Sequence, residues 1–408
     1  MAIRKPNQNI PDIDDIYAIK WHSMSCELVT PLYGGGVKSS VVDLSMPIRV
    51  SSIRGQLRFW WRLLAKHKKD ENWDFKGDLK SIQNAEFALW GGQGDDDGGR
   101  ASQVFLKVSD VPKEAVLKNY LKLYDDLRLQ YVLFPAANET DPELKPHKLL
   151  DIKGIIWTLS FAFSHQLEKD EVRKQQVIET LQWWANFGGI GFRTRKGMGA
   201  IHVSACQDYP QITHVLTKDD VKQANCQLVQ RQATSDSLQA LRTAIEKLSA
   251  FRQAPNMGRN IGNQPNRPGR SRWPEPDAMR RIVGRGYDAN HQPEHPAGNI
   301  FPRALFGLPV LLHFPKEKVL NTTVEPTQGE RLASPLILRP QFSAEKNQVK
   351  QWAPIALLLP HQHILDMQVT VNRQQYSIWQ QRAAEKIRPV NENGAENPLQ
   401  AFLKYFVQ

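Results

Sequence analysis

Gly188-Gly189-Ile190-Gly191-Phe192-Arg193-Thr194-Arg195-Lys196-Gly197-Met198-Gly199 holds five glycines and three cations in twelve positions, with no acid among them. Glycine lets backbone approach a bulky partner and reach positive φ. Arginine and lysine offer charge to phosphates. Such a pliable basic loop suits a polyanion better than a small apolar ligand.

The flanks decide what kind of loop it is. Before it, Glu171 to Phe187 reads as a helix, with Val177, Leu181 and Trp184 on one face and Gly188 at the C-terminal position glycine favours. After it, Ile201, Val203 and Ala205 alternate with His202 and Ser204, a strand pattern. The loop therefore joins helix to strand. A dinucleotide fingerprint needs strand, glycines, then helix, so that reading fails on order. A Walker loop fails because no G-K-[ST] follows. The plain alternative is a flexible surface loop whose charge serves solubility. The entropy lost on ordering so many glycines argues against it.

The chain has 408 residues and a formal net charge of +11. That length predicts two or three domains. The basic excess favours an acidic partner, nucleic acid above all. Cys26, Cys206 and Cys226 are odd in number and far apart, which supports neither a disulfide framework nor a zinc ribbon. The start, MAIRKPNQNIPDIDD, has no apolar signal core, and no run reaches membrane-spanning length. A soluble, cytoplasmic protein is expected, without membrane, metal or cofactor.

Along the chain, 18–30 reads as a first strand, followed by a second glycine turn, Thr30-Pro31-Leu32-Tyr33-Gly34-Gly35-Gly36. Residues 52–66 read as a helix with Ile53, Leu57, Trp60, Trp61 and Leu64 on an apolar face. Arg54, Arg58 and Arg62 form a stripe beside it at i, i+4, i+8. Residues 91–100 read as a loop, 104–108 as a strand, 113–125 as a helix and 130–134 as a short strand. Ile155, Trp157, Leu159, Phe161 and Phe163 then mark a clean alternation. The order strand, helix, strands, helix, strand is ferredoxin-like, with extra elements between. The fold class predicted is α+β, two tandem ferredoxin-like domains with insertions. A domain boundary is expected at 208/209, giving an N-terminal unit 1–208 and a C-terminal unit 209–408. The second unit has a helix at 236–250, strands near 303–314, 333–339, 353–360 and 366–372, and a last helix near 397–406. Inside it, 252–300 is irregular, with eight arginines against Glu275 and Asp277 between 252 and 285. It is either a functional insertion or a disordered linker. Trp273 and the prolines around it favour a docked one.

Each candidate has a plainer reading. The arginine stripe reads as a solvated helix face, but uniform sign costs self-repulsion unless a polyanion or buried acids offset it. Trp60 and Trp61 lie on the apolar face and read as core before base-stackers. Tyr33 and its glycines read equally as a simple turn or as backbone approach to RNA. His22, His67, His202 and His313 are scattered and read as ordinary surface or core histidines. Asp95-Asp96-Asp97 reads as a solvated loop, since nothing fixes metal-ligand geometry there. No nucleophile elbow or paired catalytic carboxylates stand out.

Three segments carry a resemblance: Thr30 to Gly36; Ile53-Arg54-Gly55-Gln56-Leu57-Arg58-Phe59-Trp60-Trp61-Arg62; and Gly189-Ile190-Gly191 through Gly197-Met198-Gly199. They resemble the RAMP superfamily of CRISPR systems. The arginine–tryptophan helix, with Gly269 to Asp277, looks most like the first RAMP subunit of the type III-B (Cmr) effector. The resemblance implies two packed ferredoxin-like domains at one end of a filament-like ribonucleoprotein, near the guide RNA 3′ end and the 5′ part of the target RNA. It implies neighbouring RAMP subunits as partners, and a chain that binds RNA while other subunits cut. A metal-independent RAMP endoribonuclease processing guide precursors, with His22 as base, is the alternative. The candidate RNA-binding residues are Lys38, Arg49, Arg54, Arg58, Arg62, Gly189, Gly191, Arg193, Arg195, Lys196, Gly197, Gly199, Arg270 and Arg272.

Overall fold

The computed structural model describes residues 19–38, 40–93, 99–152, 155–261, 271–284, 294–314 and 318–408. The expectations for Asp95 to Asp97 and for Arg270 lie outside these residues.

The first half is built on six elements. They are β1 (Trp21–Leu28), α1 (Val50–His67), β2 (Val104–Ser109), β3 (Ile156–Phe163), α4 (Glu171–Phe187) and β4 (Ile201–Cys206), with α2 (Leu79–Trp90) and α3 (Gln130–Ala137) between them. The sheet runs β2-β3-β1-β4, every neighbour antiparallel. In β1 the alternation turns Met24, Cys26 and Leu28 into the core, and it sets Cys26 opposite Trp157 of β3. A one-residue slip would turn this apolar set outward, so burial fixes the register. Helices α1 and α4 pack on one another. Trp60 lies 5.8 Å from Trp183 and 6.0 Å from Phe187 between ring centroids. Both Trp60 and Trp61 are core, as their face predicts. Asp170 caps α4 by accepting the Arg173 N–H at 3.0 Å. The helix stops at Gly188, where a Cβ would strike the Trp184 ring and carbonyl.

The second half begins with β5 (Gln227–Gln230) and α5 (Ser237–Gln253), then α6 (Glu275–Val283) inside the irregular stretch. Strands β6 (Val310–Leu312) and β7 (Thr322–Pro326) come next, followed by β8 (Leu336–Lys346) and β9 (Val349–Leu358). After them lie β10 (Gln368–Val371), β11 (Gln374–Ser377) and α7 (Pro398–Val407). One antiparallel sheet runs β8-β9-β5 and a second β6-β7-β10-β11. The β8-β9-β5 sheet is joined to no fourth strand among the described residues. The described part of 252–300 is docked, because Trp273 is buried with its ring 5.6 Å from Phe251.

Three local expectations need correction. Residues 113–125 form two 3-10 turns, Glu114–Val116 and Leu121–Asp125, and not a helix. Their backbone is spent on the 149–151 segment: the Tyr120 N–H donates to Leu149 O, and Lys118 O accepts from the Asp151 N–H. Residues 130–137 form α3 and not a strand, since Asp126 O accepts from both Leu129 and Gln130 N–H and starts a helical turn. A short apolar run does not distinguish the two by itself. Near 303–314 only β6 is strand, because Pro302, Gly307 and Pro309 break the rest.

Two large apolar clusters form the interior, and each crosses the 208/209 boundary. One joins Met24, Trp61 and Trp184 to Ile337 and Ile355. The other joins Tyr33, Leu133 and Met198 to Leu241, Phe306 and Phe402. At their junction sits Arg339 of β8, only 2% exposed. It donates to Pro340 O at 2.9 Å, to Ile201 O at 2.5 Å and to Gly188 O. Burial pushes its pKa down to about 9, which still leaves it charged at neutral pH.

Arg339→Lys keeps a charge but loses the planar fork that reaches several carbonyls at once. We expect a loss of about 2 kcal/mol from carbonyls left without donors, read by urea unfolding. Wild-type stability in this variant would contradict the assigned role.

Candidate nucleic-acid interface

The glycine loop is wound against its own neighbours. The Phe192 N–H donates to Tyr33 O at 2.6 Å, the Ile190 N–H to Gly199 O at 2.8 Å and the Gly199 N–H to Pro31 O at 2.8 Å. Gly189 N–H reaches Gln56 Oε1 on α1 at 3.1 Å. A Cβ on Gly35 would stand 2.7 Å from Gly191 Cα, so the two glycine turns touch backbone to backbone. Gly199, at φ 63°, would drive a Cβ into Ile190 O. The expectation of an open, pliable loop is therefore corrected. Gly189, Gly197 and Gly199 are buried and Gly191 is partly exposed, and their small size serves close approach within the chain.

The three loop cations divide between two sides. Arg195 lays its guanidinium 5.1 Å from the Phe59 ring centroid and donates to Ser334 O. Arg193, itself at φ 58°, lies 5.1 Å from the Phe134 ring of α3. Lys196 is partly exposed as a residue, yet its Nζ has neither solvent contact nor a hydrogen-bond partner among the described residues. Burial lowers the pKa of both arginines. It pushes that of Lys196 down to about 7, assisted by the positive charge of Arg252, Arg193 and Arg195.

The α1 stripe is offset by a buried acid. Glu86 of α2, 4% exposed, accepts from Arg58 Nε and Arg62 Nη1, each at 2.6 Å. Arg54 donates to Ser102 Oγ at 2.6 Å and Val104 O at 3.2 Å. Arg49 clamps the second glycine turn by donating to Gly35 O and to Gly36 O, the latter at 3.2 Å. Arg272 faces inward, 6% exposed, held by Asn256 O, by Asn260 Oδ1 at 3.1 Å and by Glu392 at 3.0 Å. Lys38 is exposed. The structure thus brings Arg193, Arg195 and Lys196 together at the centre and leaves Lys38 and Arg272 apart from them.

Sequence reasoning missed several residues here. Arg252 comes from α5 and donates to the Tyr131 hydroxyl. Arg331 lies near enough to Arg193 to lower its pKa. The C-terminal half of α1, Arg195 and residues at 332–335 and 359–364 line a cleft of about 270 Å³ whose basic side chains are Arg62, Lys66, His67, Arg195 and His363. Of these, Arg62 and Arg195 were candidate RNA-binding residues and His67 read as an ordinary histidine, and nothing in sequence spacing ties any of them to His363.

His22, the alternative's general base, is 2% exposed. Its Nδ1 sits 2.7 Å from Asp208 Oδ2, and its ring meets Phe161, Phe163 and Tyr209. Among the described residues no three of His, Cys, Asp and Glu are grouped to hold a metal. No described helix is long and apolar enough to cross a membrane.

Residues 25–202 match the family model of the RAMP superfamily. The chain is 25% identical over 191 residues to the CRISPR system Cmr subunit Cmr1-2 of Pyrococcus furiosus, covering 45% of this chain and 94% of that protein. Among solved structures, the apo crystal structure of Cmr1 from Pyrococcus furiosus aligns at TM-score 0.45 and 15% identity, over 88% of this chain and 99% of the other. A chain in the cryo-EM structure of the type III-B Cmr-beta complex bound to cognate target RNA aligns at TM-score 0.45 and 11% identity, over 95% and 99%.

The Lys196 amine yields a pH test. The unfolded chain holds this proton up to its ordinary 10.5, whereas the folded chain releases it near 7. Between those values the unfolded state binds more protons, so stability rises with pH. Lys196→Met should remove that rise, worth at most about 1.4 kcal/mol per pH unit. Urea unfolding of both proteins at pH 7 and pH 9 checks it; parallel pH profiles would refute the buried, partnerless amine.

Proposed function

We propose that this chain, whose residues 25–202 match the RAMP-superfamily model, is an RNA-binding, non-cutting subunit of a type III-B (Cmr) CRISPR effector ribonucleoprotein in the cytoplasm. The observation that carries the reading is the clustering of Arg193, Arg195, Lys196 and Arg252 around the glycine loop, beside a cleft whose lining includes Arg62, Lys66 and Arg195 and no acid. The name of the Pyrococcus furiosus relative supports the assignment to a Cmr complex. Guide and target RNA and neighbouring RAMP subunits are the partners, with a position near the guide RNA 3′ end. The architecture is two ferredoxin-like units, 1–208 and 209–408. The β2-β3-β1-β4 order supports the first, being 4-1-3-2 when the strands are numbered along the chain. The β8-β9-β5 sheet supports the second as far as its three strands go.

Binding is electrostatic in this reading, and base pairing within the RNA supplies the sequence readout. Lys38 and the cleft cations reach solvent and make the primary phosphate contacts. The half-buried Arg193 and Lys196 raise the local potential behind them. The enclosure of His22 by three aromatic rings disfavours the endoribonuclease alternative. Incubating the protein with CRISPR repeat RNA in EDTA tests it directly, since a product that disappears in His22→Ala would overturn the non-cutting assignment.

Lys38, Lys66 and Arg331 are exposed, so replacing all three with alanine leaves the core intact. We expect weaker binding of single-stranded RNA and a log–log salt slope shallower by about 2, at roughly 0.7 per lost phosphate contact. Fluorescence anisotropy across a salt series measures it. A slope equal to that of the wild type would remove these surfaces from the RNA path.

A further inference from the structure

The cleft between α1 and the 332–364 region has a chemistry more specific than a basic surface. Its volume, about 270 Å³, lies close to the lower bound of small-ligand sites, about 300 Å³. One wall is apolar, with Phe59, Leu332, Pro335 and Leu359. The other is cationic or imidazole, and no aspartate or glutamate lines the space. Glu86, which pairs with Arg62, stands outside it. A helix C-terminus attracts cations by itself, and that accounts for Lys66 and His67 at the end of α1. It does not account for Arg195 from the glycine loop or His363 from beyond β9. Three separate segments converge basic side chains on one space.

Arg195 supplies the organising feature. Its guanidinium is held against the Phe59 ring and tied to Ser334 O. A planar group fixed at the border of an apolar wall is a shelf for a flat ring, while Lys66, His67 and His363 stand ready for an anion. His67 is kept below its ordinary pKa by burial, then by Lys66 and His363. A phosphate bound there would favour the protonated ring and oppose that shift.

We infer that this cleft is a nucleotide site: it takes one nucleoside phosphate, base against the Phe59–Arg195 shelf and phosphate toward Lys66, His67 and His363. The same chemistry arises from a free nucleotide or from one residue of an RNA strand. The strand version rests on the RNA-binding function proposed above, and the free-nucleotide version stands without it.

The full chain should be titrated with AMP and, separately, with a ten-residue single-stranded RNA, by calorimetry and anisotropy. Lys66→Glu reverses a charge and His363→Glu places a carboxylate, both at exposed positions, and Lys38→Glu is a control outside the cleft lining. We expect each cleft variant to weaken binding by about tenfold or more, with the control unchanged for AMP. Loss for both probes supports a site open to either source. Loss for the RNA alone assigns the site to the strand, and loss for AMP alone assigns it to a free nucleotide. If the cleft variants bind both probes as the wild type does, or the wild type binds neither, the site is refuted. RNA binding that depends on Lys38 but not on Lys66 or His363 would spare the proposed function while overturning this site.

Discussion

A buried guanidinium holds the two halves to one another. Arg339 belongs to β8, yet the carbonyls it serves are those of Gly188 and Ile201, at the two ends of the glycine loop, together with its neighbour Pro340. A charge in apolar surroundings is costly unless every donor finds an acceptor. Here backbone oxygens satisfy it, so the loop ends are fixed relative to the second half's sheet. Gly197 completes the junction, since a Cβ there would press on Leu338 O, one residue before Arg339. The loop is thus a hub of packing, and its position determines where every neighbouring cation points.

That hub sorts charge. Successive side chains leave the 193–196 turn in different directions, Arg193 toward α3, Arg195 toward α1, and Lys196 into a space bounded by Arg252. None of the three forms an ion pair with a carboxylate among the described residues. Holding like charges close together, partly out of water, lowers stability. The chain tolerates this partly by neutralising Lys196 near pH 7 and partly by laying the arginines on aromatic faces. A folded protein that keeps such a cluster gains from any anion that binds beside it.

Much of the frame was legible in the sequence, for physical reasons. Strict alternation in β1 and β3, and the apolar stripe of α4 ending at Gly188, are strong local signals, and they gave the element order of the first half. The weak points are equally physical. Val132 and Leu133 lie in an apolar run too short to separate strand from helix, and α3 follows from a turn at Asp126 that pattern alone does not announce. Side-chain partners were hidden by distance along the chain. Glu86 is 28 residues from Arg58 and 24 from Arg62. The Ser334 carbonyl is 139 residues from Arg195. The uniform sign of the stripe was real, but the acid that offsets it comes from the next helix.

Net charge and available charge are therefore different quantities in this protein. Arg58 shares a buried glutamate with Arg62, and Arg272 closes an interior network with Glu392 and Asn260. A +11 chain that spent its cations this way everywhere would present little field to a polyanion. Among the cations left without a carboxylate are Lys66 on the cleft side of α1 and Arg195 on its aromatic shelf. These groups sit at the seam between the halves, the place Arg339 holds rigid. A strand lying along the seam would meet fixed cations and an apolar wall without first paying to order a loop, the condition under which modest electrostatic contacts give useful affinity. On the reading proposed above, recognition belongs to this seam, and the glycines matter because they let the two halves approach backbone to backbone.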